Sequence, residues 1–196
     1  MEFHKRVRMI YIKPLQVFKE AKKDPHPNKA LLVLITGAML LAIIAQYSLW
    51  GITYPNAYLF FLYSLEFSLF WLIGIPLSAG ILKLLKIEYD NKAYVECCAL
   101  SFMPSLFPLL IYLTVQLATE VIPTQGWHTS YSIIIYEEEW KIPAILFIGG
   151  IAWAFMLLTR ATRTVTRIKQ QKATILWSIS FLISGIAEFM ISRCWG

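Results

Sequence analysis

Residues 94–122, YVECCALSFMPSLFPLLIYLTVQLATEVI, run for 29 positions, and the 23 between Glu96 and Glu120 carry no charge. A helix needs about 20 apolar residues to cross a hydrocarbon core of about 30 Å. This run is longer than that, and tilt or its two prolines, Pro104 and Pro108, absorb the excess. Four further runs of similar character lie at about 30–50, 58–82, 142–159 and 173–192. A membrane barrel would show alternating segments of about ten residues, and since these runs are continuous no barrel reading is needed. The expectation is an all-α, polytopic membrane protein with five transmembrane helices.

Composition agrees. The chain is 58% hydrophobic and 15% charged over 196 residues. Ordinary globular domains carry roughly 45–50% apolar and about 25% charged residues. The surplus of apolar surface calls for lipid or a very large partner. The first apolar run ends in Tyr47-Ser48-Leu49-Trp50 rather than a small-residue cleavage site, so it reads as a retained signal anchor.

Residues 1–29 form a separate basic segment ahead of the membrane domain, 30–196. Within it, residues 14–23 predict a short helix. Pro14 suits a first helical turn, and Asp24-Pro25 with Pro27 stop it. Leu15, Phe18 and Ala21 share one side, which predicts an amphipathic helix lying at the headgroups.

The net charge of +6 is explained by topology rather than by nucleic acid. Eight of the 18 basic residues precede the first run, none lies between runs one and two, and three follow run two. Lys141 stands alone before run four, five lie between Arg160 and Lys172, and Arg193 ends the last run. The basic segments alternate with five spans, which places the N-terminus in the cytoplasm and the C-terminus outside. In a prokaryote the host is the plasma membrane. Lys19, Lys22, Lys23, Arg160, Arg163, Arg167, Lys169 and Lys172 then form a cytoplasmic face for anionic headgroups or a protein partner, including a second copy of the chain.

Polar residues inside spans are costly and need a reason. Gln46, Glu66, Gln116, Glu188 and Arg193 fall at comparable outer depth in different runs. Rows at four-residue spacing accompany them: Ser180, Ser184, Glu188 and Ser192 in run five, and Ser101, Ser105, Tyr112, Gln116 and Glu120 in run three. Two readings stand. One is interhelical hydrogen bonds with a Glu–Arg pair. The other is an outer-leaflet polar cavity of a small permease around Glu66 and Glu188.

Glu96-Cys97-Cys98 invites a metal or redox reading, but no second Cys or His falls at helical spacing. A helix-start carboxylate beside two small apolar thiols is the simpler expectation. His128 and Glu137–Glu139 read as a solvated outer loop. No nucleophile elbow, zincin, phosphate-loop or dinucleotide fingerprint occurs, so the chain is expected to be non-enzymatic and without cofactor.

Four features together resemble the Yip-type (Ypt/Rab-interacting protein) domain family. They are Pro14-Leu15-Gln16-Val17-Phe18 followed by a basic turn with Asp24-Pro25, and the five-span order with a cytoplasmic N-terminus. They also include Tyr94 with Ala99-Leu100-Ser101-Phe102 and Pro104 opening span three, and Lys172-Ala173 before the last span. The 29 residues ahead of span one are similar to prokaryotic members. The resemblance implies an integral membrane protein without catalysis, a scaffold or adaptor in membrane organisation.

Overall fold

The computed structural model describes residues 1–50, 57–121 and 141–195; at 44–50, 57–63, 112–121, 191–195 and some positions between, only the backbone is described. The described residues are helical throughout, with no strand among them. In chain order the helices are α1 (Phe3–Met9), α2 (Pro14–Lys23), α3 (Pro27–Trp50), α4 (Ala57–Leu84), α5 (Asn91–Val121), α6 (Lys141–Thr166) and α7 (Gln170–Trp195).

Helix α2 has the bounds the sequence predicts, with Pro14 at its first turn and Asp24 as its C-cap. Pro27 does not merely stop the chain; it opens α3. Helix α1 carries no signal in the sequence, because Phe3–Met9 is short and dominated by charge. Asp90 caps α5, its Oδ1 accepting from the backbone N–H of Lys92 at 2.8 Å and of Ala93 at 3.3 Å.

The five long helices pack in the cyclic order α3, α4, α7, α6, α5, with α5 returning to α3. Helix α5 is central to this arrangement, because it touches α3, α4, α6 and α2. Pro104 is buried within α5, which continues through it as one helix.

Small residues set the closest approaches. A Cβ on Gly150 would stand 3.0 Å from the Ser105 Cα and 3.1 Å from its carbonyl oxygen, so α5 and α6 meet backbone to backbone there. A Cβ on Gly37 would meet Leu106 Cδ1 at 3.2 Å, on the α3–α5 seam. The interior between α5, α6 and α7 is aromatic. Phe181 stacks on Phe102 at 6.2 Å and meets Phe155 edge-on at 5.5 Å. Trp177, fully buried, lies edge-on to both Phe102 and Phe181.

The outer faces are apolar as well. On α7, Ile175, Ile179, Leu182, Ile183, Ile186, Phe189 and Met190 are exposed. On α3, Leu32, Ile35, Met39, Leu40 and Ile43 are exposed. Over its described residues alone, no helix is long and apolar enough to cross a membrane.

Both connections at the basic end use a left-handed residue that is not glycine. Lys86 has φ 53°; the N–H of Ile87 donates to the Leu82 carbonyl at 3.0 Å and that of Lys86 to the Lys83 carbonyl at 2.9 Å. That is a Schellman end to α4. Arg167 has φ 61°, and its N–H donates to the Arg163 carbonyl at 2.9 Å, closing α6 with the simpler left-handed cap.

Candidate functional site

The N-terminal helices fold back over the bundle, and one buried ion pair fixes them there. Arg6 and Glu96 are both 0% exposed, with Nη1 of Arg6 2.8 Å from Oε1 of Glu96. Arg6 also donates to the carbonyl of Asp24 at 2.7 Å and to that of Met1 at 3.0 Å. The second carboxylate oxygen of Glu96 accepts from the backbone N–H of His26. A buried guanidinium and carboxylate are tolerable when their remaining hydrogen-bonding sites are filled in this way. Glu96 does stand near the start of α5 beside two buried thiols, but its role goes beyond the helix dipole: it is an internal anchor that receives Arg6 and the α2–α3 turn.

The two thiols beside it, Cys97 and Cys98, are buried and free. The Cys97 thiol points to the Phe18 carbonyl, 3.8 Å away, and so lies under α2. Among the described residues, no three His, Cys, Asp or Glu side chains converge as metal ligands would.

Helix α2 does not lay its apolar face on a membrane. Val17, Phe18 and Ala21 are fully buried against α5 and α6, while Leu15, expected on that side, is half exposed. The reason is the pitch of the helix. Positions 17, 18 and 21 share one stripe, and Leu15 falls toward its edge.

Burial of that stripe turns the lysines of α2 toward the C-terminal end of α6. A groove of about 1300 Å³ opens between them. Lys19, Lys22 and Lys23 line one wall; Arg160, Arg163 and Arg167 line the other. Lys22 ties the walls together. Its ammonium donates to the carbonyls of Thr164 and Val165, each at 3.1 Å, where α6 exposes unpaired acceptors. Six of the eight cations expected on the basic face are thus gathered in one place. Lys169 and Lys172 are exposed nearby but do not line the groove.

Side-chain hydrogen bonds tie the elements of the bundle together. Trp177 Nε1–H donates to Thr162 Oγ1 at 2.7 Å, linking α7 to α6. Tyr94 donates to Ser78 Oγ at 2.8 Å, linking α5 to α4, and Tyr89 donates to the Ala79 carbonyl at 3.0 Å. Tyr11 in the α1–α2 turn donates to the Met103 carbonyl at 3.4 Å, and burial pushes its phenol pKa up.

Neither a protein-family model, nor a curated protein, nor a solved structure matches the chain.

A second opening, about 570 Å³, lies between α3 and α4 beside Val95 of α5. Leu31, Ile35, Leu72 and Ile75 make it apolar, yet it also presents Ser64 and Trp71. The Ser64 hydroxyl and Trp71 Nε1 have no hydrogen-bond partner among the described residues.

The intramembrane cluster expected from sequence, Gln46, Glu66, Gln116, Glu188 and Arg193, lies outside the described side chains, and 123–140 with His128 and Glu137–Glu139 lies outside the described residues. The serine rows can be followed in part. Ser101, Ser105 and Ser180 donate to the carbonyls of Cys97, Phe102 and Leu176 in their own helices, at 2.7, 2.6 and 2.9 Å. They do not bridge helices, which corrects the interhelical reading for these three. Bridges between helices are made by Trp177 to Thr162 and by Tyr94 to Ser78 instead. Sequence periodicity missed them because each acceptor sits on another helix.

Proposed function

We propose that the chain is a non-enzymatic integral membrane protein, a five-span scaffold or adaptor similar to the Yip family, which works through its basic cytoplasmic end. The observation that carries this reading is the outward face of α7. Ile175, Ile179, Leu182, Ile183, Ile186, Phe189 and Met190 occupy it without interruption by charge, and Leu182 is 66% exposed. From Ile175 to Met190 that face extends about 22 Å at 1.5 Å per residue. A soluble monomer rarely exposes a contiguous apolar patch of more than a few hundred Å². The apolar runs also continue past the described side chains, as in α3, where 30–50 is apolar and side chains are described to Ile43.

Charge placement supports the orientation. The α1–α2 segment, the turn between α4 and α5, and the turn between α6 and α7 carry most of the basic residues and lie at the same end of the bundle. That end faces the cytoplasm under the positive-inside rule. Docking of α2 on the bundle makes the N-terminal segment part of the body rather than a free tail, as a scaffold surface requires.

The test is fractionation of membranes from cells expressing the chain. It is expected to stay in the pellet through high salt and alkaline carbonate, and to be released by detergent. Release by carbonate alone would overturn the reading. An N-terminal tag accessible only after permeabilisation of the cytoplasmic side would fix the orientation, and an externally accessible tag would reverse it.

A further inference from the structure

We infer that the groove between α2 and α6 binds the headgroup of a phospholipid bearing two phosphates. The inference rests on the reading of the chain as a membrane protein and deepens it by naming what its basic end recognises.

The first argument is charge without counter-charge. Lys19, Lys22, Lys23, Arg160, Arg163 and Arg167 line the groove, and Glu20 is the one carboxylate among its described lining residues. Glu20 is shared between Lys23, 3.9 Å away on its own helix, and the N-terminal ammonium of Met1 at 3.3 Å, so its single charge does not offset the six cations. Topology alone asks only that these cations be on one side of the membrane. It does not ask that two helices converge them on a shared volume, where they repel one another. A bound polyanion removes that repulsion.

The second argument is length. Arg160 and Arg163 lie one turn apart on α6 and Arg167 follows in the left-handed cap just beyond its end, so the row spreads its positive charge over about 10 Å. Guanidinium forks grip phosphate oxygens in pairs. One phosphate reaches only part of that row, whereas two phosphates joined by a short linker engage its length and the facing lysines together.

The third argument is depth. Leu15 lines the same groove with half its surface exposed, and Ile12, in the turn that leads into α2, is 73% exposed. Cations beside exposed aliphatic side chains match a molecule that carries phosphates and acyl chains together. An acidic peptide supplies the charge but leaves the aliphatic rim uncovered.

Arg167 adds a fourth point. It occupies the left-handed position that closes α6, with φ 61°, where glycine is the favoured residue. Arg167 lines the groove nonetheless. Glycine there would relieve the backbone and remove a ligand, so fold and binding separate at this residue.

The experiment uses the full chain in neutral detergent. Cardiolipin, with two phosphates, is titrated against phosphatidylglycerol, with one, at matched total charge, and retention is read by native mass spectrometry. Inorganic pyrophosphate and an oligoglutamate peptide are run as soluble arms. Cardiolipin is expected to bind about tenfold or more tightly than phosphatidylglycerol. Arg163→Gln with Arg167→Gln should abolish that preference. Arg167→Gly should weaken cardiolipin binding while unfolding at the same temperature as the parent chain or higher. Equal affinity for the two lipids would overturn the proposal in favour of diffuse surface charge. Pyrophosphate binding as tight as cardiolipin would overturn it in favour of a soluble diphosphate, and preferential peptide binding in favour of an acidic partner. Loss of the membrane reading is registered separately, by carbonate release, so the two failures cannot be confused.

Discussion

Arg6 and Glu96 are 90 positions apart in the chain and 2.8 Å apart in the fold, both sealed from solvent. Their pairing joins the first helix to the central one. Removing one partner leaves the other charged and buried, which costs about 3–5 kcal/mol. Arg6→Met or Glu96→Leu alone should therefore lower the unfolding temperature sharply. The double substitution should recover much of the loss, because two apolar side chains leave no orphan charge. Thermal unfolding of the four proteins in one detergent measures this as a double-mutant cycle. Single losses below about 1 kcal/mol, the range of surface pairs, would show that the pair is solvated.

Gly150 and Gly149 are adjacent, and the structure assigns them opposite tolerances. Alanine at 150 meets the Ser105 backbone at 3.0 Å, whereas alanine at 149 meets nothing within 4 Å. Gly150→Ala should destabilise by about 1–3 kcal/mol through overpacking of α5 against α6. Gly149→Ala should be neutral or stabilise by up to about 1 kcal/mol, as expected for glycine to alanine in a helix. The same unfolding assay decides, and equal effects at the two sites would contradict the α5–α6 contact.

Lys86 holds a left-handed conformation at the end of α4, with φ 53°. Its side chain is exposed and takes no part in the groove. Lys86→Gly should raise stability by up to about 1 kcal/mol, because glycine adopts this conformation without a Cβ clash. A fall in unfolding temperature would mean that the Schellman end does not form.

Trp177 places its indole N–H 2.7 Å from Thr162 Oγ1 inside the bundle. Trp177→Phe should lose that bond and some packing, and Thr162→Val should lose the acceptor. The coupling between the two substitutions should be about 1 kcal/mol, the net worth of a buried neutral hydrogen bond. Additive effects would place the two side chains apart.

How far the sequence could be read depended on the range of the interaction concerned. The bounds of α2 followed from Pro14 and from Asp24-Pro25, which act on their own neighbours. The gathering of basic residues at one end followed from where charges interrupt the apolar runs. The Arg6–Glu96 pair was not legible, because the apolar neighbours of Glu96 do not name a counter-charge, and its partner lies 90 positions away in a helix with no sequence signal. Leu15 was placed on the wrong side because a ten-residue helix leaves its edge positions undecided until a neighbour packs on it. The serine rows misled because a hydroxyl in a helix can bond its own preceding turn, and periodicity cannot tell that from a bond across helices.

By itself, then, the sequence determined the helical character of the described residues, the bounds of α2 and the clustering of the charges, since each of these follows from local propensity and from where charges interrupt the apolar runs. The tertiary structure alone decided that the N-terminal helices dock on the bundle and that Glu96 is an anchor. It also decided that six cations from distant segments share one groove. These depend on which surfaces meet, and that is set by small residues such as Gly150 admitting a neighbouring backbone, by buried stripes turning lysines outward, and by one internal charge requiring its partner.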